Sequence, residues 1–65
     1  MESGIMEPGA LRVKPACQWL GVSDDTLARM IARGEIRSYT VGRARFISMT
    51  ELRRFIAERE AEARS

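Results

Sequence analysis

The stretch GVSDDTLARMIARGEI, residues 21–36, carries the pattern that decides the fold. Ser23 is a residue type that begins helices, because its hydroxyl accepts a hydrogen bond from a free amide of the first turn. Leu27 and Met30 follow at the three-residue spacing of a buried helical stripe. Gly34 then ends the pattern, as glycine often does just beyond a helix C-terminus. The stretch therefore predicts a turn followed by one short helix.

A second short helix is predicted immediately before this turn. KPACQWL, residues 14–20, has an apolar face of helical period, and we expect Cys17 and Trp19 to lie in the core. Pro15 is tolerated only in the first turn of such a helix, where its missing amide is not needed. Gly21 ends the helix. Two short helices joined by three residues that include a glycine are typical of a helix-turn-helix.

The segment IRSYTVGRARFIS, residues 36–48, predicts a β-hairpin. It is rich in β-branched and aromatic residues, and Gly42 stands where a hairpin turn is needed. We expect Ile36, Val41 and Ile47 to join the apolar stripes of the helices in one small core.

A third helix begins with SMTE, in which Ser48 and Glu51 have the spacing of a capping box. The tripeptide LRV, residues 11–13, is either a short strand or a lead-in to the first helix. The predicted fold class is α+β, mostly helical: a winged helix-turn-helix of three helices and a two-stranded β-hairpin wing. Residues 1–10 are predicted to be a flexible N-terminal tail, residues 11–57 the domain, and residues 58–65 a polar helical C-terminal extension.

Composition restricts the function further. The chain has 65 residues, one cysteine and no histidine, so neither an intramolecular disulfide nor a Cys/His zinc site can form. No apolar run approaches the ~20 residues of a membrane span, and the start lacks a signal-peptide pattern. There is no glycine-rich phosphate loop and little room for a pocket. We therefore expect a cytoplasmic protein that is not an enzyme and uses no cofactor, metal, membrane or small-molecule ligand.

The positive charge is concentrated in the middle of the chain. The net charge is only +2, but residues 28–54 contain seven arginines against two glutamates, a balance of +5. Arginine is suited to bidentate contact with phosphate and guanine. The charge distribution alone leaves two interpretations equally open: a solvated surface with salt bridges, or a surface that binds double-stranded DNA.

The ordered set VKPACQWLGVSDDTLARMIARGEIRSYTVGRARFISMTELRRFI resembles the excisionase-type, MerR-like winged helix-turn-helix family of phages and other mobile elements. The resemblance covers about residues 11–57 and implies a second helix in the major groove, with the wing at the minor groove or backbone. Many such proteins are recombination directionality factors that assemble along attachment-site DNA, bend it and direct an integrase toward excision. The chain departs from the family at Arg12, where a Thr or Ser cap is usual, and at Asp24 and Asp25, where Arg, Ser or Pro is frequent.

The helical wheel identifies the candidate DNA-contacting face as the one opposite the buried stripe. Arg29 is the main candidate for reading a base, and Asp25 can hold it in one rotamer or accept from a cytosine amine. Strand alternation is expected to direct Arg43 and Arg45 to the same side of the wing. The predicted site residues are Asp25, Thr26, Ala28, Arg29 and Ala32 for the major groove, Gly42, Arg43 and Arg45 for the wing and minor groove, and Ser23, Arg33 and Arg37 for phosphates.

Other interpretations remain open at this point. The aspartates can simply stabilise the positive end of the helix dipole, by roughly 0.3–1 kcal/mol each, and Arg29 can be a surface arginine paired with Asp25 or Glu35. The chain can be a transcription regulator of a mobile element instead of an excisionase. It can also be a protein-interaction module, such as an antitoxin-like adaptor that docks through its helical extension.

Overall fold

The two short helices form as the glycine and cap positions predict. α1 (Val13–Leu20) ends at Gly21, whose φ of 77° is left-handed and whose amide donates to the Cys17 carbonyl at 2.8 Å. α2 (Asp24–Ala32) begins after Ser23, whose Oγ accepts from the Thr26 amide at 3.1 Å. Gly34, also at φ 77°, follows the end of α2. The computed structural model describes residues 8–64, so residues 1–7 of the predicted tail and Ser65 lie outside the described residues.

The sheet has three strands, where the sequence predicted a two-stranded hairpin. The predicted hairpin is present as β2 (Tyr39–Val41) and β3 (Ala44–Ser48), and β1 (Ala10–Arg12) pairs with the other edge of β3. The order is β1-β3-β2 and both pairings are antiparallel. A short strand at residues 11–13 was one of two predictions for that tripeptide, but its pairing with β3 was not predicted, because three residues are too few to display a periodicity. Within residues 8–64 the chain is therefore a small α+β domain of three helices and a three-stranded antiparallel sheet.

Residues 9 and 10, predicted to belong to the tail, are attached to the domain. Ala10 lies opposite Ser48 in the sheet, and the carbonyl of Gly9 accepts a hydrogen bond from the Met49 amide at 2.9 Å. α3 (Met49–Arg64) is one continuous helix, so residues 58–64 extend it without a break. The division at residue 58 remains a prediction. No helix among the described residues is long and apolar enough to span a membrane.

One core joins the helices to the sheet. Cys17, Ile36 and Ile47 are buried in it as predicted, whereas Val41 and Trp19 are 62% and 43% exposed, so their placement in the core was wrong. Val41 pairs with Ala44, which is three residues before the inward-facing Ile47 on β3, so Val41 and Ile47 point to opposite faces of the sheet. Val41 also adjoins the hairpin turn. Trp19 lies at the edge of the stripe that α1 buries. The buried residues are Ala16, Cys17, Leu27, Met30, Ile36, Ile47, Met49 and Leu52.

Glu51 fixes the start of α3 against the segment that follows α2. Ser48 Oγ accepts from the Glu51 amide at 3.0 Å, which is half of the predicted capping box. The Glu51 carboxylate accepts from the Arg37 amide at 2.9 Å and from Arg54 Nε at 2.8 Å. Arg54 also donates to the Glu35 carbonyl at 3.2 Å. The Arg54 guanidinium is the main reason that the pKa of Glu51 falls from its ordinary 4.5 to about 2.

Candidate nucleic-acid interface

The exposed face of α2 brings together four of the residues predicted for the major groove. Asp25, Ala28, Arg29 and Ala32 are all exposed, whereas Leu27 on the opposite side of the helix is fully buried. The helix is therefore anchored by its apolar stripe and presents this face to solvent. The two alanines leave the arginine standing above small neighbours, so another surface can approach the helix closely at this point.

Asp25 and Arg29 form an ion pair one helical turn apart. Arg29 Nη2 donates to Asp25 Oδ2, and the two side chains are 64% and 75% exposed. An exposed pair of this kind contributes only about 0.3–0.5 kcal/mol to stability. Its main consequence is orientation, because the carboxylate holds one edge of the guanidinium while the remaining N–H groups stay available. Glu35, the other partner considered for Arg29, pairs with Arg33 and Arg59 instead.

Ser23 and Thr26, at the start of α2, bond to each other. Ser23 Oγ accepts from the Thr26 amide and donates to Thr26 Oγ1 at 2.9 Å. Ser23 is thus engaged as a helix cap, and a phosphate contact from it remains a prediction. Both residues are exposed, and Thr26 lies in the first turn of α2, next to Asp25 along the chain.

Asp24 has a role that differs from that of Asp25. Burial raises the pKa of the Cys17 thiol, and a hydrogen bond to the Asp24 carboxylate raises it further. Asp24 therefore interacts with α1 in addition to the positive end of the α2 dipole. Cys17 is 3% exposed and is part of the core.

The hairpin tip carries two arginines in different situations. Gly42 and Arg43 form the two-residue turn, and Gly42 has a φ of 62°, which favours glycine. Arg43 is exposed and makes no hydrogen bond or ion pair within the described residues. Arg45 Nη1 donates to Ser38 Oγ at 2.6 Å, so it is oriented by a neutral partner and its charge is not compensated there. Because Arg43 lies in the turn and not in β3, the alternation argument for a common side does not apply to this pair.

Arg33 and Arg37 lie in the connection between α2 and β2. Arg33 is 66% exposed and approaches Glu35 to 3.6 Å. Arg37 lines a polar groove with Glu51 and Arg54 of α3, so the structure places it beside α3 and not on the exposed face of α2. Phosphate contacts from these two arginines remain predictions.

Two basic residues that the sequence reasoning did not assign lie next to Arg45. Arg12 at the end of β1 and Lys14 in the first turn of α1 line one shallow groove with it. Their sequence positions, 31 or more residues from Arg45, give no signal of this proximity. Only the β1–β3 register reveals it.

The fold and the arrangement of α2 agree with a comparison against known protein families. The helix-turn-helix domain family matches residues 10–60, and the chain belongs to that family. Its members are generally non-catalytic, and a helix-turn-helix implies DNA as the partner. Comparisons with curated proteins and with solved structures found no match.

Proposed function

We propose that the chain is a winged helix-turn-helix protein of the excisionase type, a recombination directionality factor of a phage or another mobile element. It binds a specific DNA sequence with α2 in the major groove and the hairpin β2–β3 as a wing at the adjacent minor groove. Several copies bind side by side, bend attachment-site DNA and direct an integrase toward excision. The site of action is the nucleoid of a bacterial host cell.

The exposed face of α2 is the observation that carries this proposal. A major groove about 12 Å wide admits a helix, and small residues beside the reading side chain let the backbone approach the base edges. Ala28 and Ala32 supply those small positions, and Arg29 supplies donors that match the O6 and N7 acceptors of guanine. The other outward-facing side chain, Asp25, is the partner that orients Arg29.

Asp25 changes the balance between the affinity for DNA in general and the selectivity for one DNA sequence. A carboxylate close to the phosphates lowers affinity for every DNA sequence, because non-specific binding is mainly electrostatic. Asp25 also restricts the directions from which Arg29 can donate, and it can accept from a cytosine amine. The pair therefore reduces non-specific binding more than it reduces binding to a matching site.

The hairpin tip supports the role of a wing. Arg43 lies exposed in the hairpin turn and forms no ion pair within the described residues, and Gly42 gives that turn its shape. Arginines inserted at a narrow minor groove gain from its enhanced negative potential. Arg45 is the second residue of β3 after this turn, and a hydrogen bond to Ser38 orients its guanidinium.

The excisionase role, as distinct from a dimeric regulator, is supported by the second half of α3. Residues 57–64 are exposed and predominantly charged, with internal ion pairs such as Arg59–Glu62 at 3.2 Å. Such a surface lacks the apolar a/d repeat of a stable coiled-coil dimer. Monomers that assemble on neighbouring sites fit this surface, and the same exposed helix is available for an integrase.

A gel-shift titration separates these functions. The protein is titrated against the attachment-site region of its own element and against random DNA of equal length, at one near-physiological salt concentration. Stepwise, cooperative shifts on the attachment-site fragment alone are expected, and they lead to an excision assay with the element's integrase. One discrete shift on a promoter fragment of the same element, titrated in the same way, identifies a transcription regulator. Equal, weak binding to both fragments contradicts the proposal and favours a protein-interaction module.

A further inference from the structure

A basic groove forms where β1 passes into α1. β1 ends at Arg12, opposite Phe46, while β3 continues toward the hairpin turn through Arg45. The chain leaves the sheet there and enters α1, so the first turn of α1 lies beside Arg45. The basic groove is lined by Arg12, Val13, Lys14, Pro15 and Arg45.

The charges of this groove are not neutralised. No acidic residue lines it, and the described partner of Arg45 is the neutral hydroxyl of Ser38. Arg12 and Lys14 are exposed, and neither forms an ion pair or a side-chain hydrogen bond within residues 8–64. Three cationic residues from two separate parts of the chain therefore border one groove, and no acidic residue borders it with them.

Another groove among the described residues differs in this respect. It lies between α3 and the connection that follows α2, and two of its three arginines form ion pairs: Arg54 pairs with Glu51 and Glu58, and Arg59 pairs with Glu35. An anion that entered it would compete with carboxylates already in place. The basic groove offers no such competition.

We propose that the basic groove binds a backbone phosphate of DNA, on the strand that flanks the wing. The groove suits a sugar-phosphate chain, because Val13 and Pro15 offer apolar contact to a deoxyribose and the exposed side chains of Arg12 and Lys14 can reach a phosphate beside it. Pro15 has no amide hydrogen, so it contributes no donor of its own, and the positive charge comes from the side chains. The inference rests on the proposed DNA-binding function and adds to it a contact that the helix face and the hairpin tip do not provide.

Arg45 gives this contact a positioning role. It belongs both to the hairpin and to the basic groove, so a phosphate held there links the wing to the start of α1. Phosphate contacts fix the orientation of a protein on the duplex and carry no sequence information. Loss of the groove must therefore weaken binding to all sequences by the same factor.

The test compares Lys14→Gln with the matched control Arg64→Gln, an exposed cation at the far end of α3. Affinity for the attachment-site duplex and for a random duplex is measured by fluorescence anisotropy across a salt series. One lost phosphate contact lowers the slope of log affinity against log salt by about 0.9, which corresponds to about a fivefold loss at 0.15 M salt. This loss of affinity is expected on both duplexes, with little change in the control. Lys14→Arg keeps the positive charge and should bind DNA like the wild type.

Two outcomes overturn the proposal. If Lys14→Gln and the double variant Arg12→Gln/Lys14→Gln match the control in slope and affinity, the basic groove does not contact DNA. If inorganic phosphate at millimolar concentration shifts the Lys14 amide resonance while the variants keep full DNA affinity, the groove is a free-anion site. Failure of the wild type to bind either duplex rejects the proposed function itself. Wild-type binding with an intact slope in both Lys14→Gln and the double variant rejects the basic groove alone.

Discussion

Replacing Glu51 by glutamine should destabilise the domain, because this carboxylate connects α3 to the segment after α2. It accepts hydrogen bonds from the Arg37 amide and from Arg54, and its side chain is 14% exposed. A pKa of about 2 in place of 4.5 corresponds to a ceiling of about 3 kcal/mol in the free energy of unfolding. Arg54 is 39% exposed, so water screens the pair and an effect of about 1–2 kcal/mol is expected.

This effect has a defined pH dependence. The folded pKa of Glu51 is depressed, so the stabilisation is fully present above the unfolded value of 4.5 and is lost as the pH falls toward about 2. In a domain of this size, about 1–2 kcal/mol corresponds to a Tm decrease of about 5–15 °C. The difference in Tm between wild type and Glu51→Gln should therefore be largest near pH 7 and shrink continuously below pH 4.5.

The assay is thermal unfolding followed by circular dichroism at a series of pH values. Glu60→Gln is the matched control, because Glu60 is an exposed residue of the same helix with no ion pair among the described residues. The reasoning is refuted if Glu51→Gln melts within 2 °C of Glu60→Gln at pH 7, on the scale of about 4–8 °C per kcal/mol. It is also refuted if the difference in Tm persists unchanged at the lowest pH at which both proteins fold.

Two further predictions concern the helix-turn-helix itself. Ser23→Ala removes the cap that accepts from the Thr26 amide and should lower the free energy of unfolding by about 1 kcal/mol, whereas Ser23→Asp should preserve it; equal denaturation midpoints for all three proteins would argue against the cap. Cys17 is 3% exposed and its pKa is raised by burial and by Asp24, so a thiol reagent should modify the native protein only through unfolding. Modification at the same rate in native and denaturing buffer would contradict that placement.

The helices and the hairpin were predictable because their signals are local. Gly21 and Gly34 end helices, Ser23 begins one, and Gly42 forms a turn, each for a reason contained within a few residues. The two wrong assignments, Val41 and Trp19, concern which face of a strand or helix is buried. Strand alternation placed Val41 on one parity without revealing which side of the sheet meets the helices.

The sequence predicted only those parts of the candidate site whose residues lie close together along the chain. The α2 face follows from helical period alone, and the Asp25–Arg29 pair follows from a four-residue spacing. The third strand depends on the pairing of residues 10–12 with residues 46–48, which no short window of sequence records. The basic groove depends on that same pairing, and so Arg12 and Lys14 had no visible partner in the sequence.

The affinity of Arg29→Ala for DNA tests the central claim most directly, since Arg29 is the side chain that α2 presents for base reading. Affinities of wild type, Arg29→Ala and the control Arg64→Ala are measured on the attachment-site duplex and on random DNA at one salt concentration. The account predicts a loss of about 1–3 kcal/mol for Arg29→Ala on the specific duplex, or roughly 5–150-fold, with a smaller loss on random DNA. Unchanged specific affinity, or an equal loss on both duplexes, would contradict base reading by α2.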